Sequence, residues 1–342
     1  MTMPLSATSP CSGLTRPFSF THLTSVGQLE YGDIVGIFDR IDEVQQPSGH
    51  AAIQDCMAGK VLGVAFFQPS TRTRLGFETA AHRLGGRVVG FSDIASTRSV
   101  HYTGESIEDA TQVLAAYSDI IVMRHFVAGA AARAAEVSTV PIINGGDGSN
   151  EHPTQAITDA WLMDRTLRGL SGRTVALIGD PGTRVLRSLA AILARLGVER
   201  LLFMTPDSVT DNSDNGGPRG ARLPEDVETE LARFPVRIEY CADVRDVLCE
   251  ADALEMLPAR IPSLEADPRT LRGNALATHE KYRVTREKIE STKSRTLVFH
   301  PGPRSDELHE DTDSMPNSMY WQQVRASVHC RMALMAGMVS GE

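Results

Sequence analysis

Three hydroxyl side chains and two arginines occupy five consecutive positions, Ser70-Thr71-Arg72-Thr73-Arg74, within FFQPSTRTRLGFETAAHRLGG (66–86). An apolar run ends at Phe67, and apolar positions at helical spacing begin by residue 73. A helix N-terminus leaves backbone N–H groups without partners and carries the positive end of the helix dipole, so it favours an anion. Arginine adds a planar, often bidentate grip on phosphate oxygens. The run therefore reads as a phosphate site. It also reads as a Ser/Thr-capped helix with two solvated arginines, and five positions alone do not choose between these.

Further side chains invite the same double reading. Arg124 follows the apolar run DIIVM (119–123) and either aims at a ligand or ends a strand in water. His152 precedes Pro153, which suits a first helical position, so part of that motif is plain helix initiation. Arg331 lies in an amphipathic stretch near the C-terminus, while His300 and Arg304 flank a Pro-Gly-Pro turn and serve equally to organise a loop. IGDPGTR (178–184) has a strand–turn–helix character, yet it lacks the third glycine of a dinucleotide fingerprint, and Asp180 occupies the turn. No Walker-type phosphate loop is present.

These residues need a scaffold, and the chain supplies one by pattern. KVLGVAFF (60–67), RVVGF (87–91), DIIVMR (119–124) and VPIING (140–145) read as short buried parallel strands. Residues 73–84, 106–117 and 127–137 between them have helical spacing. A second series runs through TVALIGD (174–180), RLLFMTP (200–206), VRIEYC (236–241), DALEM (252–256) and TLVFHPG (296–302). Strand–helix alternation on this scale predicts an α/β fold with two parallel-sheet domains. The expected division is 1–155 and 156–315, with a C-terminal helix in 316–342 packing back on the first domain. Residues 1–20 read as an irregular lead-in, and the polar, Gly/Asn/Asp-rich stretch 207–226 as a long surface loop.

Composition narrows the function classes. A chain of 342 residues, 42 % hydrophobic and 23 % charged, has the apolar content for two cores and excludes fibrous or wholly disordered readings. Its net charge of −9 gives no overall attraction to nucleic acid or anionic membrane, so any positive site must be local. Five scattered cysteines form no CxxC pair and no metal-ligand pattern, which suits reduced thiols in a cytoplasm. No signal-peptide pattern and no membrane-length apolar run occur.

Taken together, the segments resemble the aspartate/ornithine carbamoyltransferase family. The matches lie in order: the 66–86 segment, IVMRH (121–125), NGGDGSNEHPTQ (144–155), GDPGTR (179–184), HPGPRSDEL (300–308) and YWQQVRASVHCRMAL (320–334). NGGDGSNEHPTQ and HPGPR are closest to the aspartate branch. The resemblance implies a carbamoyl-phosphate-binding domain and a Rossmann-like amino-acid-binding domain. It also implies transfer of the carbamoyl group to the amine of a small amino acid, aspartate by default. Ser70, Thr71, Arg72 and Thr73 are then expected to grip phosphate, and Thr73, Arg124 and His152 to donate to the carbonyl oxygen. Gln155 and the backbone around Pro301 and Gly302 would hold the carbamoyl amide. Arg184 would pair with the acceptor α-carboxylate, and Arg331 matches another arginine near the active site. No cofactor or metal is expected. The resemblance further implies a homotrimer in which Ser99, on a loop from a neighbouring subunit, completes each active site.

The match breaks in three places. In ASTRSVHYTGES (95–106), Thr103 stands where the family has a lysine that supplies charge to both substrates. In MLPARIP (256–262), Leu257-Pro258-Ala259-Arg260 replaces a Thr-Arg-Val-Gln run whose arginine binds the acceptor side-chain carboxylate, so either Arg260 reaches that carboxylate from another angle or the acceptor is not aspartate. Gly302 stands where leucine is frequent, which suggests a larger acceptor pocket. Losing two cations aimed at a dicarboxylate opens a second reading, with the same chemistry on another acceptor such as a diamino acid. A third reading is a non-catalytic regulatory or scaffolding homologue.

Overall fold

The structure is a computed structural model that describes residues 18–92, 104–205, 223–258 and 278–339. It forms two compact units, Met1–Thr158 with Arg325–Glu342, and Asp159–Val324.

The first unit opens with helices α1 (Tyr31–Gln45) and α2 (Pro47–Ile53), which the strand–helix rhythm beginning at Lys60 does not anticipate. The signal for α1 was present. Ile34, Ile37, Phe38, Ile41 and Val44 fall on one face and are all buried. Asp33 also reaches back to accept the Glu30 backbone N–H at 2.9 Å, satisfying a donor at the helix start.

A parallel sheet follows, made of β1 (Val61–Phe66), β2 (Arg87–Phe91), β3 (Ile120–His125) and β4 (Ile142–Asp147) in the order β2-β1-β3-β4. Helices α3 (Thr71–Arg83), α4 (Ile107–Ala115) and α5 (Ala130–Val137) connect the strands, and α6 (Pro153–Leu167) follows β4. Ala65, Ile121, Met123, Ile142 and Leu114 form one of its apolar clusters, each large side chain contributing about 1.5–3 kcal/mol by leaving water. β2 differs from the expectation of a buried strand. It pairs only with β1, at the sheet edge, and Val89 is 43 % exposed.

The second unit repeats the logic with five parallel strands. β5 (Thr174–Ile178), β6 (Arg200–Met204), β7 (Arg237–Tyr240), β8 (Ala253–Met256) and β9 (Leu297–Phe299) lie in the order β7-β6-β5-β8-β9. α7 (Arg184–Arg195), α8 (Glu225–Leu231), α9 (Val244–Glu250) and α10 (Arg286–Ser291) are its helices, and α11 (Tyr320–Val339) ends the described chain. Ile178, Leu202, Val247, Leu254, Met256 and Val298 lie in its core. Of the stretch 207–226 expected as loop, residues 207–222 lie outside the described residues and Glu225 already begins α8.

Both sheets reverse their winding direction between two adjacent strands, β1 and β3 in the first and β5 and β8 in the second. Ligands of open parallel sheets bind beyond the C-terminal strand ends at such points. Phe66 pairs with Arg124 and Ile178 with Met256 there, so the motif residues sit directly past the two switch points.

The C-terminal segment corrects one boundary. Residues 316–324, expected to return to the first unit, belong to the second. The reason is backbone pairing: Val298 N–H donates to Asn317 O at 2.9 Å and Met319 N–H to Val298 O at 2.8 Å, which ties the segment to β9. From Arg325 onward the chain joins the first unit, where Lys60 Nζ donates to Val339 O at 2.8 Å.

Candidate active site

β1 ends at Phe66, and Ser70, still in an extended backbone conformation, directly precedes α3. The Ser70 hydroxyl accepts the Thr73 N–H at 3.3 Å, so Ser70 is the helix cap. Thr71 is exposed and Arg72 half-buried at the first turn, while Thr73 is buried. The capped-helix reading is thus present, on the residues also expected to grip a phosphate.

Thr73 faces the start of α6. Its Oγ1 lies 3.5 Å from His152 Nε2, and both side chains are buried. Arg124, at the end of β3, donates from Nη1 to Gly145 O at 3.0 Å. A Cβ added to Gly145 would sit 3.5 Å from Thr73 Cγ2, so Thr73, Arg124, His152 and the Gly145 backbone share one small volume. Gln155 follows half a turn into α6, half-buried, with its N–H donating to His152 O at 3.2 Å.

Asp147 explains how His152 is delivered. Its carboxylate accepts from Asn144 Nδ2 at 2.8 Å, from Gly129 N at 2.8 Å and from Glu151 N at 3.1 Å, which pins the whole β4–α6 loop. Gly148 in that loop has φ +51°, and a Cβ there would lie 2.7 Å from Ala128 N. Much of the NGGDGSNEH signature is therefore loop construction in the service of one histidine.

Arg331 is not a surface arginine. It is 1 % exposed, its guanidinium lies 5.1 Å from the Phe77 ring centre, and a Cβ on Gly76 would fall 2.5 Å from its Nη1. α11 thus places a buried cation directly against α3, on the aromatic face and glycine that α3 offers it. His125, next to Arg124, has a different role. Its Nδ1 accepts Val127 N–H at 2.9 Å and its ring stacks on Phe126. Burial, reinforced by the charge of Arg133, lowers its pKa to about 4, so it is neutral at physiological pH.

The other expected residues lie in the second unit. After β5, Asp180 accepts Gly182 N–H at 2.8 Å, and Arg184 opens α7, half-buried. Gly179 has φ +142°, and a Cβ there would lie 2.9 Å from Leu257 Cβ, so the exits of β5 and β8 touch. Leu257 is buried, and Pro258 follows it. Pro301 and Gly302 occupy the loop after β9, where the Gly302–Pro303 peptide is cis. His300 Nδ1 accepts Gly302 N–H at 2.8 Å and its Nε2 bonds Glu307 at 2.9 Å. The Nε2–H tautomer fits both contacts.

Glu307 also accepts from Ser305 N at 2.8 Å and Ser305 Oγ at 2.6 Å. Burial pushes this carboxyl up, but the hydrogen bonds from His300 and Ser305 outweigh that and lower its pKa to about 2. Arg304 pairs with Asp313 and lies 4.7 Å from the Tyr320 ring centre. Both His300 and Arg304 therefore organise the loop, as one of their two readings held.

The structure brings Ser70, Thr71, Arg72, Thr73, Arg124, His152, Gln155 and Arg331 into the first unit and Arg184, Pro301 and Gly302 into the second. Ser99, Thr103 and Arg260 lie outside the described residues. Asp147, Glu307, Asp159, Glu255 and Gln323 carry functionally placed contacts that sequence reading passed over. The only signal for the last three was a carboxyl inside the apolar run DALEM and polar positions on the inward faces of two helices. Among the described residues no group of three or more His, Cys, Asp or Glu could hold a metal ion, and no helix is long and apolar enough to cross a membrane.

Comparison with known proteins covers nearly the whole chain. Residues 21–165 match the model for the aspartate/ornithine carbamoyltransferase carbamoyl-phosphate-binding domain, and residues 171–338 that for the Asp/Orn-binding domain. The aspartate carbamoyltransferase catalytic subunit of Thermococcus onnurineus is 37 % identical over 306 residues, 88 % of this chain and 90 % of that one. The catalytic subunit of Alkaliphilus oremlandii is 35 % identical over 325 residues, 94 % of this chain and 91 % of that one. Among solved structures, the catalytic subunit of M. jannaschii aspartate transcarbamoylase has a TM-score of 0.77 at 32 % identity, covering 94 % of this chain and all of that one. Trypanosoma cruzi aspartate transcarbamoylase in complex with N-(phosphonacetyl)-L-aspartic acid has a TM-score of 0.78 at 29 % identity, covering 92 % and 95 %.

Proposed function

Since the chain belongs to the aspartate/ornithine carbamoyltransferase family, we propose that it transfers the carbamoyl group of carbamoyl phosphate to the amine of aspartate, giving N-carbamoyl-L-aspartate and phosphate. The observation that carries this reading is the convergence of Thr73, Arg124 and His152 behind the capped start of α3. It supplies the two things the reaction needs, an anion clamp and donors for an oxyanion.

The phosphate dianion sits at the α3 N-terminus, held by Ser70, Thr71, Thr73 and the Arg72 guanidinium. Thr73 Oγ1, Arg124 and His152 donate to the carbamoyl oxygen, which draws electrons from the carbon and strengthens as negative charge develops there. Gln155 and the backbone of Pro301 and Gly302 hold the carbamoyl amide and so present one face of the carbon. Arg184 and Arg260 receive the acceptor carboxylates. Arg331, buried against α3, adds positive charge on the side of the acceptor. The uncharged amine attacks, the C–O bond to phosphate breaks, and the departing phosphate takes the amine proton. No group beyond the two substrates is needed for that balance.

A homotrimer with Ser99 supplied by a neighbouring copy completes this reading, and scattered cysteines, none of the described ones in a disulfide, support action in the cytoplasm. One observation favours a second acceptor. Leu257 and Pro258 follow β8, where an arginine for the aspartate side chain is expected two residues before Arg260. A less anionic amine, such as a diamino acid, would suit that surface better.

One experiment separates the readings. The protein is incubated with carbamoyl phosphate and a panel of amino acids, and carbamoylated products are identified by mass. The expected result is N-carbamoylaspartate with one phosphate released per product. Product from diamino acids but not from aspartate replaces the acceptor, and absence of product together with no carbamoyl-phosphate binding by calorimetry replaces the enzyme reading with a non-catalytic one.

A further inference from the structure

Glu255 occupies the second-to-last position of β8, an interior strand of the second sheet, with Leu177 of β5 and Phe299 of β9 at the paired positions. It is 0 % exposed. Apolar residues fill the rest of that strand, Ala253, Leu254 and Met256. A carboxyl there is costly to bury, and packing alone would be served better by leucine or methionine.

What Glu255 touches is the side-chain amide of Gln323, on the first turn of α11. Gln323 Nε2 lies 3.3 Å from both Glu255 carboxyl oxygens and 2.8 Å from Asp159 Oδ1, on α6. Its Oε1 accepts the His300 backbone N–H at 2.7 Å. A backbone N–H only donates, so the amide cannot be turned round. Oε1 must face His300, and both Nε2 protons must go to the carboxyls. The contact continues along the loop, since His300 Nδ1 receives the Gly302 N–H.

We propose that Glu255 is a positioning residue for the transfer reaction: with Asp159 it fixes the amide of Gln323, and through it the head of the loop that carries Pro301 and Gly302. This rests on the reading that the loop holds the carbamoyl amide.

The same geometry sets the charge state. Complete burial, the negative charge of Asp159 and only a partial offset from the Gln323 hydrogen bond push the Glu255 carboxyl well above the ordinary carboxylate range. Of the two carboxyls, Glu255 is the one whose environment favours the protonated form. Asp159 faces it from α6 and Gln323 from α11. His300 lies one amide away, backed by Glu307, and the paired residues of β5 and β9 add no charge. Ionising Glu255 sets two negative charges on one amide in a dry site and loosens the grip on His300.

The test uses the full chain with Glu255→Leu and Glu255→Gln, assayed with carbamoyl phosphate and aspartate across pH. Glu255→Leu removes an acceptor of Gln323, so KM for carbamoyl phosphate is expected to rise about tenfold while kcat stays within about twofold, the pattern of lost uniform binding. Glu255→Gln, neutral at every pH, is expected to stay within about twofold of wild type in both constants and to keep activity further into alkaline pH. Wild-type KM in a folded Glu255→Leu overturns the proposal. So does a folded Glu255→Gln as impaired as the leucine variant, or one whose alkaline limb coincides with that of wild type.

Should the wild type turn over no carbamoyl phosphate, the proposed activity fails, and the network is read from unfolding instead. A carboxyl whose native pKa is raised contributes stability that is full below its unfolded pKa and is lost as pH rises through the native one. Glu255→Gln must then flatten the fall of Tm with rising pH, and parallel curves for the two proteins overturn the assignment.

Discussion

The two switch points use opposite chemistry. Beyond β1 and β3 the groups are cations and neutral donors, Arg72, Arg124, His152 and Thr73, with Arg331 buried beneath them. Beyond β5 and β9 carboxyls brace their own loops, Asp180 with Gly182 and Glu307 with His300 and Ser305, while Arg304 pairs with Asp313. The same winding of strands and helices thus carries hydroxyls, arginines and a histidine in the loops of one unit and acid-braced loops, with Arg184 opening α7, in the other. The lesson is that fold repeats and function does not: what each half does depends on the sign of the charge that its loops leave at the strand ends.

The most direct way to break that contrast is Arg72→Ala. If the first switch point is the anion receiver, loss of this charge-assisted contact costs about 2–4 kcal/mol of transition-state stabilisation, read as a drop in kcat/KM for carbamoyl phosphate. Near-normal turnover would remove Arg72 from the clamp.

A second test uses acid. His125 in the first unit has its pKa lowered from 6.5 to about 4, and Glu307 in the second from 4.5 to about 2. Both are depressed, so each contributes stability present above its unfolded pKa and lost as pH falls through its folded one. His125 acts between about pH 6.5 and 4 and Glu307 between about pH 4.5 and 2, each on the order of 3 kcal/mol. Denaturant unfolding of His125→Phe and Glu307→Gln across pH should flatten separate parts of the stability curve. A shared window would mean that the two units do not differ in this respect.

The smallest effect compares two glycines. Gly148→Ala and Gly179→Ala each force a side chain into a left-handed or strained backbone and against Ala128 N or Leu257 Cβ. Each should lower stability by about 1–3 kcal/mol. Gly148→Ala should also displace His152 and reduce kcat. Gly179→Ala should act on acceptor KM instead, because it parts the exits of β5 and β8. Identical kinetic signatures in the two variants would contradict the division of labour.

Legibility in the sequence followed the same divide. The nine strands among the described residues coincide with the runs read as strands, and the interior ones are apolar along their length because both faces are covered. β2 was misjudged as buried, since an edge strand and an interior one of the same composition differ only in their neighbours. The candidate residues at the first switch point were readable because they are contiguous: Ser70 to Arg74 is one peptide, and α3 begins within it. The Glu255–Gln323–Asp159 group was not, because its members are 68 and 164 residues from Gln323 along the chain and meet only where α6, β8 and α11 converge.

Sequence alone determined the class of fold and the family, since these depend on local pattern and on side chains in fixed order. Tertiary structure decided that Arg331 is a buried cation under α3, that His125 is neutral, and that a carboxyl at the heart of the second sheet bears on the loop after β9. Those outcomes depend on distance and on exclusion of water, and neither is a property of residues taken one at a time.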